Sequence, residues 1–383
     1  MSFRLCNLLE NEVRANENHM EKVLPWLKLK NVPGVGNLLY KRLLDQFGSP
    51  EDVFNASESE LCRVPGITGR IAGAILSPVP VDADRCEIDL ATAKGFGFIT
   101  LADPSYPALL REIPDPPPFL YVCGNLENIQ PCVAVVGSRH ATDYGLAAAR
   151  RLGSDLAACG ITIVSGMARG IDTAAHLGAL DADGSTIAVL GSGLNRIYPS
   201  ENMELFQKIS IKGAVISEFA LNAGPDPHHF PIRNRVISGM SLGTVIVEGS
   251  MNSGSLITAR LAVEQGREVF AVPGSIRSYK SAGSHYLIKQ GAKLVQHAGD
   301  IIDELSPLLG CQCPIGGRDG ASRTCLSPEE NALIEAMGPY PVHIDELARK
   351  LSLAPGKISG LLLQLELKGS IRQLPGNFFT CSS

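Results

Sequence analysis

Aromatic side chains are scarce in this chain: 5% of 383 residues, with a single tryptophan. Positive charge is not in excess either, since the formal net charge is −5. Bulk electrostatics therefore give no pull toward nucleic acid, and any such site must be a local cluster working against the global field. No stretch holds the roughly 18 apolar residues that a membrane-spanning helix needs. The opening residues, MSFRLCNLLENEVRANENHM, lack the basic-then-apolar order of a secretion signal. These absences imply a soluble, cytoplasmic protein with no membrane partner.

Metal and cofactor signatures are missing as well. The ten cysteines include no C-x-x-C pair and read as reduced thiols. Cys311, Cys313 and Cys325 share one short stretch. Their spacing is poor for a structural zinc, which stays open there but unfavoured. No G-x-G-x-x-G follows the first strand, and no G-x-x-x-x-G-K-[ST] occurs. GMSLG at 239–243 fits G-x-S-x-G in letters only. A nucleophile elbow needs strand, serine, helix, and Ser241 lies between a helix and a strand. His176 stands one helical turn after Asp172 with no candidate nucleophile beside it, so a core or capping role is expected. No metal, cofactor or catalytic residue is expected, and the chain is read as not an enzyme.

What is present falls into three textures, and 383 residues are too many for one ordinary core. Residues 1–85 hold two apolar-Pro-Gly turns, Val32-Pro33-Gly34-Val35-Gly36 and Val64-Pro65-Gly66-Ile67-Thr68-Gly69, each leading into an amphipathic run. Glycine permits the positive φ of a tight interhelical turn, and the next helix starts with exposed N–H groups. This predicts a helix-hairpin-helix or SAM-like helical domain. Residues 86–306 alternate short apolar strands with helices: strands at 132–136, 162–164, 186–190, 214–217, 244–247, 268–272 and 293–295, helices between them. Such alternation predicts an α/β fold, an extended Rossmann-like parallel sheet covered on both faces. Two further strands are expected within 94–124. Residues 307–325 read as a linker. In 326–383, helices at 328–337, 344–351 and 356–368 precede a strand–turn–strand, which predicts a winged helix. Five basic and six acidic residues in that tail give it no basic excess for reading DNA.

Ligands of open parallel sheets sit beyond the carboxyl ends of the strands. Here those ends repeat glycine and serine: VVGSRHATDYG (135–145) with Gly137 and Ser138, VSGMARGID (164–172) with Ser165 and Gly166, VLGSGLNRIYP, VEGSMNSGSLITA and VPGSIRSYKSAGSHY. Beside them stand Arg139, Arg169, Arg196, Arg277 and Lys280. Small residues let backbone N–H groups approach oxyanions, and cations hold phosphates in register. Several such loops on one rim suggest a polymer rather than a mononucleotide. FPIRNRVISG adds Arg233 and Arg235 at an expected helix start, one of which could equally be a structural ion-pair partner. Glu218 and Glu248 end strands on the rim, and pairing with arginines is the expected role. Tyr144, Tyr198, Phe206, Phe230, Tyr279 and Tyr286 are placed near the rim. Unpaired bases can stack on such rings and duplex bases cannot, which favours single-stranded DNA or RNA, although ordinary packing accounts for at least half of them.

These motifs, in this order, resemble the DNA-processing protein A family, also called Smf. The resemblance runs over 133–293 and the flanking segments fit the same layout. It implies an extended Rossmann fold that binds single-stranded DNA, forms a homodimer and loads the RecA recombinase during natural transformation, without catalysis. Carried over by motif, Arg139 is the leading phosphate ligand. Ser138, Gly166, Arg169, Asn234, Arg235, Ser253 and Gly254 complete the groove. Family members often carry Lys or Arg after the IYP motif, where this chain has Ser200 followed by Glu201 and Glu204. One cationic contact is thereby in question, with Lys208 or Arg196 in reach to replace it. The competing expectation is a Rossmann-like nucleotide-processing enzyme of the phosphoribohydrolase type. Its P-G-G-x-G-T signature is absent, and EGSMNSGS stands at the comparable place.

Overall fold

A computed structural model describes residues 22–78, 81–127, 131–309, 328–337, 341–351, 353–367, 371–374 and 376–381. The chain divides into two compact units, the larger holding the N-terminal helices and the central sheet. Cys311, Cys313 and Cys325, and most of the expected linker, lie outside the described residues.

In the larger unit, helix α1 (22–30) meets α2 (Asn37–Phe47) through the first Pro-Gly turn. The helices α3 (Pro50–Asn55), α4 (Glu58–Leu61) and α5 (Gly69–Leu76) follow, with the second turn between α4 and α5. Both turns use glycine as expected, Gly34 at φ 92° and Gly66 at φ 94°, a region where a Cβ is strained. Thr68 caps α5 by accepting from the Ile71 N–H. Tyr40, Leu43, Leu61 and Ile75 are fully buried. Their core continues into Phe98, Phe119, Leu205 and Phe206 of the sheet layer. The helical segment is thus packed onto one face of the sheet, through α6 (Asp82–Ala93).

Among the described residues the sheet has nine strands: β1 (Gly97–Thr100), β2 (Phe119–Gly124), β3 (Cys132–Val136), β4 (Thr162–Ser165), β5 (Thr186–Val189), β6 (Ala214–Ser217), β7 (Gly243–Ile246), β8 (Glu268–Ala271) and β9 (Lys293–Leu294). Their spatial order is β1-β2-β6-β5-β4-β3-β7-β8-β9. β3 to β9 run parallel, whereas β1 and β2 extend the sheet antiparallel. Every residue of β3 to β7 is buried. Successive residues serve opposite cores: Ala188 and Val215 face the N-terminal side, while Ile187, Val189 and Ile216 face the other. Period-two alternation with two apolar faces is what a sheet covered on both sides requires.

The helices that accompany the sheet are α7 (Ala108–Glu112), α8 (Asp143–Ala158), α9 (Ile171–Asp181), α10 (Met203–Lys212), α11 (His229–Gly239), α12 (Gly254–Glu264), α13 (Ala282–Lys289) and α14 (Ala298–Leu309). Helix α11 starts ahead of the expected Arg233. Pro231 lies inside its first turn, where a missing N–H costs nothing. Arg233 and Arg235 are therefore helical and buried rather than displayed at a helix start.

The smaller unit contains α15 (Pro328–Met337), α16 (Ile344–Leu351) and α17 (Pro355–Leu367) with a three-stranded sheet of β10 (Val342–His343), β11 (Ile371–Leu374) and β12 (Phe378–Cys381). Leu333, Leu347, Ile358, Leu365 and Phe379 form its core. Gly376 at φ 85° and Asn377 at φ 59° turn the β11–β12 hairpin, and both residue types tolerate that region. This is the expected winged helix, with β10 as an addition.

Candidate nucleic-acid interface

Strand order reverses at β3, which pairs with β4 on one side and β7 on the other. A crevice at such a switch point is where open α/β sheets hold ligands. Here it is a cleft of about 600 Å³. The loop after β3 contributes Gly137, Ser138, Arg139 and His140, and the start of α12 contributes Ser253, Gly254 and Ser255. Phe230, Tyr198 and Tyr279 add rings, and Asn234, Asp172 and Lys280 add polar groups.

Glycine is required where these loops meet. A Cβ on Gly137 would stand 2.6 Å from the Ile171 side chain and 2.9 Å from the Glu248 carbonyl oxygen. Gly170, at φ 78°, would place one 2.3 Å from the Ser138 carbonyl oxygen. The Ile171 N–H donates to that same oxygen at 3.2 Å. The β3 and β4 loops are thus fitted backbone to backbone, and the Arg139 loop takes its shape from that contact.

Arg139 is exposed, and its guanidinium lies 4.8 Å from the Phe230 ring centroid. Among the described residues neither Arg139 nor Lys280 forms an ion pair. A cation over an aromatic face keeps its charge available while its position is held. Tyr198 packs on the same ring at 5.9 Å. Beneath them Arg233 is buried: its Nη1 donates to the Gly166 carbonyl at 2.8 Å and also to the Val189 carbonyl. Burial pushes the Arg233 guanidinium down to about 10, opposed by the nearby Asp172. Burial also raises the Asp172 carboxyl, opposed by Arg233 and by N–H groups of Ala168 and Gly166. Arg233 therefore ties the ends of β4 and β5 together. A Cβ on Gly166 would stand 2.4 Å from that guanidinium and would push it off the Gly166 and Val189 carbonyls.

Ser138, Arg139, Asn234, Ser253, Gly254, Lys280 and Gly137 meet at the cleft, as expected from the sequence. Ser253 caps α12 by accepting from the Ser255 N–H at 3.1 Å, and the Asn234 amide donates to the Gly254 carbonyl at 3.4 Å. Others expected in the groove are elsewhere. Arg235 is 6% exposed. It pairs with Glu218, while its Nη1 donates to the Asp115 carbonyl at 2.7 Å. Lys30 and Asn37 of the N-terminal helices surround the same Glu218. An arginine so enclosed by acids is a structural tie, not a phosphate ligand. Phe206 is 8% exposed within the core beside Leu205 and Ile209, so it offers no stacking face. Ser165 is fully buried and its hydroxyl donates to the Val135 carbonyl at 2.6 Å, which removes it as a groove donor. Arg196 is exposed but does not line the cleft. Arg169 and Lys208 are engaged by Glu201 and Glu204 respectively.

Sequence reading missed the cleft role of Asp172 and the framing by Pro225, Pro227 and Pro231. Asp172 is separated from Arg233 by the length of two βα units, so no local spacing revealed the pair; the proline cluster before α11 was the available signal.

No helix among the described residues is long and apolar enough to cross a membrane. Residues 97–306 match the family of DNA recombination-mediator protein A, 320–377 the DprA winged helix domain and 27–77 a SAM-like helix-hairpin-helix tandem. Protein Smf of Synechocystis is 35% identical over 92% of this chain and 96% of its own length. DNA processing protein DprA of Streptococcus pneumoniae is 45% identical over 55% of this chain and 74% of its own. The X-ray structure of the pneumococcal protein superposes with a TM-score of 0.64 at 38% identity, covering 73% of this chain and 96% of that one. DNA processing protein A of Helicobacter pylori, described for its single-stranded DNA binding mode, gives 0.51 at 30% identity over 56% of this chain and 98% of that one. With its central 97–306 matched as a whole and both flanking segments matched by domains of the same layout, this chain belongs to the DNA recombination-mediator protein A family.

Proposed function

We propose that this chain binds single-stranded DNA at the β3/β7 cleft, in the cytoplasm, and passes the strand to a RecA-type recombinase during the uptake or recombination of DNA. It does so as a binder and not as an enzyme, and it acts as a homodimer. The carrying observation is Arg139: an exposed guanidinium backed by Phe230, beside Ser138 and the N-terminus of α12. That set offers a cation, backbone donors and a ring within one concavity. Phosphate, phosphate and unstacked base are the groups a single strand presents to it in sequence. The relative from Helicobacter pylori, described for its single-stranded DNA binding mode, supports the same reading. Delivery to a recombinase and the dimer rest on the family relationship.

The test is a competition titration. A labelled oligothymidylate bound to the protein is challenged with unlabelled single-stranded or duplex DNA of mixed sequence. Displacement by the single strand at far lower concentration than by the duplex supports the reading. Equal displacement, or release of free base from nucleoside monophosphates that is lost in Glu248→Ala, would replace it with the nucleotide-processing alternative. For delivery, the protein should shorten the lag of recombinase filament formation on DNA coated with a single-strand-binding protein.

A further inference from the structure

Among the described residues, Arg169 is the one strand-end arginine that is both exposed and already occupied by a carboxylate. Its Nε and Nη2 donate to the two oxygens of Glu201, the second at 2.8 Å. This two-pronged geometry is the one a guanidinium also uses for a phosphate. Both side chains are open to solvent, 57% and 49% exposed. Such a pair is weak and exchangeable.

The pairing is built by the fold. Glu201 lies in a short 3-10 turn, Ser200–Asn202. The next residue, Asn202, is 8% exposed. Its amide donates to the Met167 carbonyl at 2.8 Å and to the Thr173 hydroxyl at 2.9 Å. Asn202 therefore bolts the turn onto the loop that carries Arg169. Met167 itself is held at φ 53°, a conformation that persists in a non-glycine residue only when its surroundings impose it. On the other side, Gly170 fits against the Ser138 and Arg139 carbonyls. Arg169 is thus fixed between the cleft's phosphate loop and an anchored acid, next to cleft residues Ala168 and Tyr198.

We infer that Glu201 is a displaceable internal substitute for a DNA phosphate: it holds Arg169 while the cleft is empty and yields it to the strand. The inference rests on the proposed single-strand binding. It makes Glu201 a residue that sets affinity and salt dependence. When a phosphate takes Arg169, the freed Glu201 gathers a cation from solution, so the exchange releases almost no net counterion. Without the carboxylate, the same contact releases one.

Three variants test it in full-length protein: Glu201→Gln, Arg169→Ala and the double change, each titrated with a labelled oligothymidylate at several salt concentrations. Glu201→Gln should bind about two- to five-fold tighter than the parent. Its log–log salt slope should steepen by about 0.7. The gain should vanish in the double variant, which a general charge effect of removing an acid would leave in place. Unchanged affinity and slope in Glu201→Gln, with Arg139→Ala still impaired, would overturn the substitute role and leave the cleft reading intact. A parent protein with no single-strand affinity would overturn both.

Discussion

At the scale of single residues, charge availability separates the arginines that sequence reading grouped together. Arg139 is exposed over a ring, whereas Arg233 and Arg235 are buried against Asp172 and Glu218. The sequence made Arg139 legible because Gly137-Ser138-Arg139 follows a strand directly. It could not separate Arg233 and Arg235 from it, since their acidic partners come from other strand ends and from the Asp115 region. Phe230→Ala should weaken single-strand binding by about 1–3 kcal/mol if the ring carries a base, read by anisotropy; an unchanged affinity would leave the ring only a packing role. Buried His176 supplies a pH prediction. Burial, aided by the Arg233 charge, lowers its imidazole from 6.5 to about 3, while its Nδ1 faces the Thr186 hydroxyl. The folded state keeps the ring neutral while the unfolded chain takes up a proton below about 6.5. This group therefore contributes fully above that value and loses its contribution as pH falls toward 3, by about 1.4 kcal/mol per pH unit. Nitrogen NMR of the ring at pH 5 should show a neutral imidazole; an imidazolium there would contradict its enclosure.

At the scale of elements, loop shape matters as much as side-chain identity. The strands were legible because apolar runs separated by helical periods admit few other readings, and their carboxyl ends fell within a residue or so of expectation. The start of α11 was not, because Pro231 looks like a stop although a first turn accepts it. Nor was the cost of the close approach between the β3 and β4 loops, which no residue pattern encodes beyond two glycines. Gly170→Ala should lower thermal stability, with a cost of about 1–3 kcal/mol from the strained backbone. It should also weaken strand binding more than Arg169→Ala does, since the added Cβ pushes the Ser138–Arg139 loop away from the start of α9. Parental affinity in Gly170→Ala would show that the loop contact carries no functional weight. The junction of Glu218, Arg235, Lys30 and Asn37 is a second element-level device, tying α1 and α2 to the end of β6. Glu218→Ala leaves the buried guanidinium only its longer pair with Asp115, at 3.3 Å, and should cost about 3 kcal/mol in urea unfolding. Arg235→Ala should leave the salt slope of DNA binding unchanged.

At the scale of the whole molecule, a chain with a net charge of −5 binds a polyanion only where cations are concentrated. The helix-hairpin-helix, sheet and winged-helix folds were readable because each has its own period and its own turn residues. Which rim cations stay unpaired was not, because the fold neutralises several of them: Arg235 by Glu218, Arg169 by Glu201, Lys208 by Glu204. The winged helix, with its balanced charge, should contribute little electrostatically; a chain ending before it should keep the parent's salt slope. The most direct measurement of the central claim is the affinity of Arg139→Ala for a labelled oligothymidylate across a range of salt. A weakened complex whose log–log slope has fallen by about 0.7, the share of one lost phosphate contact on a single strand, is the predicted result. Parental affinity and slope in that variant would contradict the placing of the strand at the β3/β7 cleft.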